Sequence, residues 1–499
     1  MRAVKIKKID AFRWELQQEP GMLVPGLVYA DERMIHALVN DESLGQVCNV
    51  AMLPGIINAS IALPDIHTGY GFPIGGVAAF DRTTGIISPG GVGYDINCGV
   101  RLIRTDIPAD ALLASGNSIS KIHDPSVPTR NTLLERLVDT LFTNIPSGVG
   151  SRRKDVRFSK GDLDRIAVGG APVIIEQGYG FPDDREYLEE NGSIPGANPD
   201  AVSDRAKERG RDQLGTLGSG NHFVEVGYVE DVYDKHAAGI FGLIPHTVTI
   251  LIHTGSRGFG YQVCDDYLRT LGNRASLDNV VLPDRQLVWA SVQSKEGRQY
   301  FSAMNAAANF AFANRQLITH WVRESFEQVL GSRADKLGMR IVYDVAHNIA
   351  KEEEYLIGGK HQKVIVHRKG ATRAFPAGHS GIPEQYRTVG HPVLIPGDMG
   401  RYSYVLVGTA QTLRETFGTV CHGAGRVMSR GQAVRSAKGR QVVQELKERN
   451  IIVRGASRAT INEEIPEAYK DVANVVDIVE GAGLARKVAK LHPLGVIKG

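Results

Sequence analysis

Asp95 and Cys98 stand three residues apart in the run Gly93-Tyr94-Asp95-Ile96-Asn97-Cys98-Gly99, a hard carboxylate and a soft thiolate among glycines. A thiolate can bridge two metal ions, and carboxylate with imidazole suits Mn, Zn, Co or Fe. The four cysteines, Cys48, Cys98, Cys264 and Cys421, are spaced too far apart for a four-cysteine zinc site or a disulfide framework. A functional cysteine therefore needs histidine and carboxylate partners. Four histidines occur in small, polar or glycine-rich settings outside any apolar helical stripe: Asn221-His222-Phe223, Ile252-His253-Thr254, Ala346-His347-Asn348 and Cys421-His422-Gly423. Taken singly, each could cap a strand end or satisfy a buried carbonyl. Taken with Asp95 and Cys98, they predict a two-metal centre.

His422 has a different setting. Its run, Cys421-His422-Gly423-Ala424-Gly425-Arg426, is followed by Arg430. Imidazole can attack phosphorus covalently, arginine neutralises phosphoryl charge, and glycine amides donate without obstruction. Cys421 is the competing nucleophile, but no dedicated base lies beside it. His253-Thr254-Gly255-Ser256-Arg257-Gly258 and His367-Arg368-Lys369-Gly370 each join a strand end to cations, which suits phosphate. Asp65-Ile66-His67 has the spacing of a metal pair, a match that arises often by chance. No Walker-type Gly-Lys-Ser/Thr loop is present, so nucleotide binding would have to be built another way.

Short β-branched runs at 247–252, 340–343, 363–366 and 404–407 predict buried strands, most of them ending at the histidine or glycine motifs. The longest predicted helix covers about 299–330, with Phe301, Met304, Ala308, Phe312, Ile318, Trp321, Val322 and Val329 on its apolar positions. Shorter helices are expected to begin near Asp31, Asn131 and Gly439. Residues 178–199, rich in Gly, Pro, Asp, Glu and Asn, read as a surface excursion. With no internal repeat or low-complexity linker, and site residues scattered from Asp65 to Lys498, one catalytic domain over 1–499 is expected.

Of 499 residues, 42% are hydrophobic, enough for a substantial core. The net charge of +3 does not by itself predict nucleic-acid binding, so any basic surface must be local. One such stretch runs from Arg426 to Arg458, where nine Lys and Arg face only Glu445 and Glu448. The N-terminal ten residues lack the apolar core of a secretory signal, and no run approaches the roughly 18 apolar residues of a membrane span. A soluble, cytoplasmic protein is expected, in a reducing compartment that suits a functional thiolate.

The chain resembles the RtcB-type RNA-splicing ligases almost end to end. The resemblance rests on motifs in family order: Leu63-Pro64-Asp65-Ile66-His67 through Gly76, Gly91 through Arg101, Gly218-Ser219-Gly220-Asn221-His222-Phe223, the His253, His347 and His367 runs, Cys421 through Arg426, and Val496-Ile497-Lys498-Gly499. It implies an α/β (α+β) fold with a central β-sandwich-like core surrounded by helices. It further implies a GTP- and Mn²⁺-dependent ligase joining an RNA 3′-phosphate or 2′,3′-cyclic phosphate to a 5′-hydroxyl, in tRNA splicing or RNA repair. Asp95, Cys98, His222, His253 and His347 would bind two Mn²⁺ ions, with Cys98 bridging, and His422 would take GMP from GTP. Nucleotide contacts would come from Asn221, His222, Phe223, Val224, Glu225, His347, Asn348, the run Pro396-Gly397-Asp398-Met399-Gly400, Ser403, His422, Gly423, Ala424, Gly425, Tyr469 and Lys498. Arg257, Lys369, Arg426 and Arg430 are candidates for holding RNA or triphosphate oxygens, and Asp65 for orienting the incoming hydroxyl. An archease-like activating protein is a further implied partner. At Asp398 the chain departs from the family's frequent serine, and a carboxylate there could accept guanine N–H groups or repel phosphate. The competing reading is a dinuclear metallohydrolase of cyclic phosphates, using the same metal ligands but no covalent nucleotide.

Overall fold

The computed structural model describes residues 4–113, 132–153, 156–277 and 281–499. Two large sheets form its centre. The first runs in the order Ile6–Lys8, Arg13–Leu16, Gly26–Tyr29, Ile56–His67, Ile74–Asp81, Lys360–Lys369, Asn348–Ile357. The second runs Arg340–Ala346, Gly99–Pro108, Thr247–Thr254, Phe223–Val232, Ala485–Lys498, Ser403–Gly408, Pro392–Ile395, with Ile452–Gly455 parallel to Ala485–Lys498. Most neighbours are antiparallel; Gly26–Tyr29 and Ile56–His67 are parallel.

Alternation along the strands determines what each face covers. On the second sheet, Val100, Leu102, Leu251, Val342 and Val345 join Val77, Ala79, Val364 and Val366 of the first sheet in one core. Their sequence neighbours Ile103, Ile250, Ile252, Val224, Val226 and Ile341 point the other way, into a second core built on the helix Lys295–Leu330. The fold is thus an α/β assembly with a central β-sandwich, helices covering the outer face of one sheet.

The four strands predicted from β-branched runs are present, each somewhat longer: Thr247–Thr254, Arg340–Ala346, Lys360–Lys369 and Ser403–Gly408. The long helix begins at Lys295, where the Ser294 side chain caps the Gly297 N–H. Asp31 caps the helix Glu32–Leu38. Asn131 lies outside the described residues; a helix follows at Leu133–Asn144, with Thr132 and Glu135 forming a capping box. Near Gly439, a helix occupies Val442–Lys447.

Residues 178–199 do run along the surface, with Pro182, Asp183, Arg185 and Glu186 exposed, but the excursion is anchored from below. Leu188 and Glu189 are buried, and Asp184 takes two hydrogen bonds from the buried Arg323, at 2.6 and 2.7 Å. Glu189 accepts from Lys351 Nζ and from the Ala346 N–H, both at 2.7 Å. The acids that suggested solvent are matched by cations far away in sequence, and the segment braces the strand that ends at His347.

Candidate metal and nucleotide site

The order of the second sheet gathers the candidate ligands. Four adjacent strands, Arg340–Ala346, Gly99–Pro108, Thr247–Thr254 and Phe223–Val232, carry His347, Cys98, His253 and His222 at or beside the same end. The register fixes this, because Gly99 pairs with both Ala346 and Thr254, and His253 pairs with Phe223. His347 lies between strands of the two sheets, and its N–H donates to the Cys98 carbonyl at 2.8 Å.

The side chains converge. Cys98 Sγ lies 3.4 Å from His222 Nε2 and 3.3 Å from His253 Nε2, while His253 and His347 bring their Nε2 atoms to 3.3 Å. Asp95 Oδ2 is 2.8 Å from His222 Nε2. Two overlapping triads result, Asp95–Cys98–His222 and Cys98–His253–His347, each with its ligand atoms within 4.8 Å of one another. Cys98 belongs to both, the arrangement a bridging thiolate requires. His222 Nδ1 faces the Leu217 carbonyl at 3.0 Å, so Nε2 is the ring nitrogen turned toward sulfur and carboxylate. Asp95 Oδ2 and His347 Nδ1 are buried without hydrogen-bond partners. Lone pairs packed this closely fit a cation, and thiolate, imidazole and carboxylate together fit a borderline divalent metal.

Electrostatics point the same way. Burial, then the neighbouring His222 and His422, drives His253 well below its ordinary value. Burial, then His422 and His253, does the same to His347. Both rings are therefore neutral, as ligands must be. Burial and the Asp95 carboxylate push the Cys98 thiol well up, a bias that a bound cation reverses. Burial opposes ionisation of Asp95, but His222 outweighs it and holds the carboxyl below its ordinary value.

The support lies in the long helix. Arg315, fully buried, grips the Asp344 carboxylate with Nε and Nη2 at 2.8 and 2.9 Å, and donates Nη1 to the carbonyls of Asn97 at 2.7 Å and Thr254 at 3.0 Å. Those carbonyls adjoin Cys98 and His253. Asp95 Oδ1 accepts the Ser256 N–H at 2.9 Å, and a Cβ on Gly255 would collide with this carboxylate, so glycine is required there.

His422 follows the strand Thr419–Cys421, its ring 4.5 Å from that of His347. A single oxygen, Oδ2 of the fully buried Asp65, accepts both the His422 N–H at 3.0 Å and Nδ1–H at 2.6 Å. Nε2 is thereby left as the lone-pair nitrogen. Lys470 Nζ donates to the carbonyls of Pro64 and Ile66 at 2.9 and 2.6 Å, fixing the strand that carries Asp65.

A cavity of about 510 Å³ joins the two sites. It is lined by Asp95, Cys98, His253, His347 and His422, and by every expected nucleotide residue except His222, Val224, Gly400 and Ser403. Val224 points its side chain into the helix-side core, one strand position out of phase with Phe223 and Glu225, so that side chain does not line the cavity. The Gly400 N–H donates to Asp398 Oδ1 at 3.0 Å, and Ser403 Oγ accepts the Gly397 N–H at 3.3 Å. Asn348 is committed to structure, donating to the Asp95 carbonyl and accepting from the Gly370 N–H. Burial, with Asp398 nearby, lifts the Glu225 carboxyl to about 8. Burial likewise lifts Asp398 to about 6, against the pull of Arg401, whose Nε lies 2.7 Å away.

The expected RNA contacts fare differently. Lys369, Arg426 and Arg430 line the cavity, but Lys369 donates to the carbonyls of Tyr70 and Phe72 at 2.8 and 3.0 Å. Arg426 pairs with Glu464 and donates to Tyr469 OH at 3.0 Å. Arg257 is largely enclosed beside Thr216 and Ser151. Of these four cations only Arg430 has a mostly exposed side chain, at 61%. Asp65 is turned inward to His422 and presents no carboxylate to an incoming hydroxyl. Sequence reasoning missed Glu464, which is buried and joins Tyr469, Arg426 and Lys498 at the cavity wall. It carries no local signal, since its partners lie up to 38 residues away. Lys470 was missed for the same reason.

A family described as tRNA-splicing ligase RtcB matches residues 46–499. A curated tRNA-splicing ligase RtcB of Thermococcus kodakarensis is 54% identical over 497 residues, 99% of each chain. One of Archaeoglobus fulgidus is 51% identical over 496 residues, again 99% of each chain. With this match covering the strands, the Asp95, Cys98 and histidine cluster and His422 together, the chain belongs to the RtcB family of tRNA-splicing ligases.

Proposed function

We propose that this protein is a GTP- and Mn²⁺-dependent RNA ligase that joins a 3′-phosphate or 2′,3′-cyclic phosphate end to a 5′-hydroxyl end, residues 1–499 acting as one catalytic unit. The observation that carries the reading is the pairing of His422 Nδ1 with buried Asp65 at 2.6 Å, in a cavity shared with two metal-ligand triads. Asp65 fixes the tautomer and stabilises positive charge on the ring, so Nε2 can attack phosphorus. The α-phosphorus of GTP then gains a bond to Nε2 and loses its bond to pyrophosphate. A 3′-phosphate, arising where necessary by water opening the cyclic ester, attacks the histidine-bound GMP. The N–P bond breaks and an RNA-3′-pp-5′-G end forms. The 5′-hydroxyl attacks the RNA-side phosphorus, its proton passes to solvent, and GMP leaves.

Asp95, Cys98 and His222 would hold one ion, and Cys98, His253 and His347 the other. Bound there, the metals supply Lewis-acid charge beside the phosphates. Phe223, Glu225, Asp398, Tyr469 and Lys498 line the part of the cavity assigned to guanylate, where a carboxyl can accept base N–H groups. An archease-like activator would act on the guanylation step.

The test is incubation with Mn²⁺ and α-labelled GTP, followed by denaturation. Label should remain on wild type and be absent from His422→Ala. Equal label on both proteins, or none on wild type with GTP, ATP and other divalent metals, refutes the covalent mechanism. Cyclic-phosphate opening that survives in His422→Ala without any nucleotide requirement would favour the hydrolase.

A further inference from the structure

One buried carboxylate joins three side chains of the cavity wall. Glu464 follows the helix Arg458–Glu463; its side chain has no solvent exposure, and Ile465 and Ala468 just beyond it lie in the core, which fixes its backbone. Oε2 accepts the Tyr469 hydroxyl proton and lies 3.6 Å from Lys498 Nζ, while Oε1 accepts from Arg426 Nη1 at 3.1 Å. Arg426 Nη1 also donates to the Tyr469 oxygen at 3.0 Å, so that hydroxyl both donates and accepts within the protein. Glu464, Tyr469, Arg426 and Lys498 all line the cavity.

The cluster is not a balanced ion pair. Two cations share Glu464, and Asp398, another cavity acid, is held by Arg401 at 2.7 Å. Lys498 is the cation left short. Its side chain is 5% exposed, yet its polar partners among the described residues are Glu464 at 3.6 Å and the Gly220 carbonyl at 3.4 Å, both long for an ammonium. Burial pulls Lys498 toward its neutral form, and Glu464 is the main counterweight. An ammonium kept underbonded at a cavity wall has donors to spare for an electron-rich ligand atom.

We propose that Glu464 is a positioning residue for the nucleotide: it aims the Lys498 ammonium into the cavity and fixes the Tyr469 ring beside it, without itself touching the ligand. The inference rests on the reading of this cavity as the guanylate site. Both Glu464 oxygens are already engaged, so its influence must pass through its partners. Glutamine keeps the shape but puts an NH₂ group either against the Lys498 ammonium or against the Arg426 donor, and removes the charge that holds both.

The test titrates GMP into the full chain with Mn²⁺ by calorimetry; GMP has no pyrophosphate to lose, so binding is read apart from guanylation. Glu464→Gln should weaken GMP binding about ten- to hundredfold, the range for one lost hydrogen bond to a charged group. Lys498→Met should do the same, and the double variant should lose far less than the product of the two, because one residue acts through the other. A merely structural role would lower the melting curve and leave the two losses multiplicative. Tyr469→Phe removes only the hydroxyl and should still weaken GMP binding at least threefold; it carries the test if Glu464→Gln does not fold. GMP affinity within twofold of wild type in Glu464→Gln or in Tyr469→Phe overturns the proposal, as do fully multiplicative losses or a wild type that does not bind GMP. Wild type that binds GMP, shows these losses in the variants and takes no label from α-labelled GTP would refute the covalent mechanism and leave the role of Glu464 standing.

Discussion

Replacing Asp65 with asparagine separates charge from shape in the activation of His422. An asparagine carbonyl oxygen in the place of Oδ2 keeps both hydrogen bonds from His422, at 3.0 and 2.6 Å, and therefore the tautomer. Its amide group takes the place of Oδ1, an atom with no hydrogen-bond partner, so no competing bond is gained or lost. What disappears is the negative charge facing the imidazole while Nε2 bonds to phosphorus. At the 2.6 Å contact, with an effective dielectric constant of about 20, a full charge pair amounts to roughly 6 kcal/mol, and half-developed charge to roughly 3 kcal/mol. Asp65→Asn should therefore slow guanylation roughly 100-fold. The fitting assay is single-turnover label uptake from α-labelled GTP at saturating nucleotide and Mn²⁺, because binding then drops out and the rate reports the bond-forming step. Asp65→Ala is less informative, since it also strands a buried N–H. Guanylation by Asp65→Asn within threefold of wild type would refute the claim that the carboxylate's charge activates the ring.

Arg315→Met removes one of two buried cations on Asp344, leaving Arg101 alone at 2.8 Å, and frees the Asn97 and Thr254 carbonyls. It should cost about 3–5 kcal/mol of stability, the usual effect of breaking a buried ion pair from one side, and lower metal content measured by elemental analysis; an unshifted melting curve with full metal loading would contradict this. Glu225, lifted to about 8 from an ordinary 4.5, makes a prediction about pH. Between those values the unfolded chain has released its proton while the folded chain keeps it, so stability falls as pH rises through the window. Metal- and nucleotide-free protein should lose on the order of a few kcal/mol from this group between about pH 5 and pH 8. Glu225→Gln should flatten that part of the fall in denaturant titrations, and identical pH dependence in the two proteins would count against it.

Residue type and local period revealed what is local in this molecule. The strands showed themselves because a strand buried on both faces needs β-branched residues in unbroken runs, as at 247–252 and 363–366. The residues that converge in the cavity showed themselves because glycine and asparagine let the backbone crowd around them, as Gly255 does at Asp95. The sandwich itself came from family resemblance, since no local pattern states that the strands at 99–108 and 340–346 are neighbours.

What stayed hidden depends on partners distant in the chain. Asp65 meets His422 across 357 residues, and nothing within Asp65-Ile66-His67 distinguishes a carboxylate aimed at a nucleophile from one aimed at a metal or an RNA hydroxyl. The anchoring of 178–199 stayed hidden for the same reason. Asp184 and Glu189 resemble solvated acids until Arg323 and Lys351 arrive from 139 and 162 residues away. The long helix was read from its apolar positions alone, yet Asn314 and Arg315 on it hold the backbone carbonyls around the ligand loops. A buried polar group is stable only when paired, so each such residue requires a partner, but the requirement does not say where in the sequence the partner lies. Composition can therefore indicate which chemistry is possible at this site. Which carboxylate faces His422, which joins the Cys98 cluster and which braces the scaffold is decided by the pairing of the two sheets.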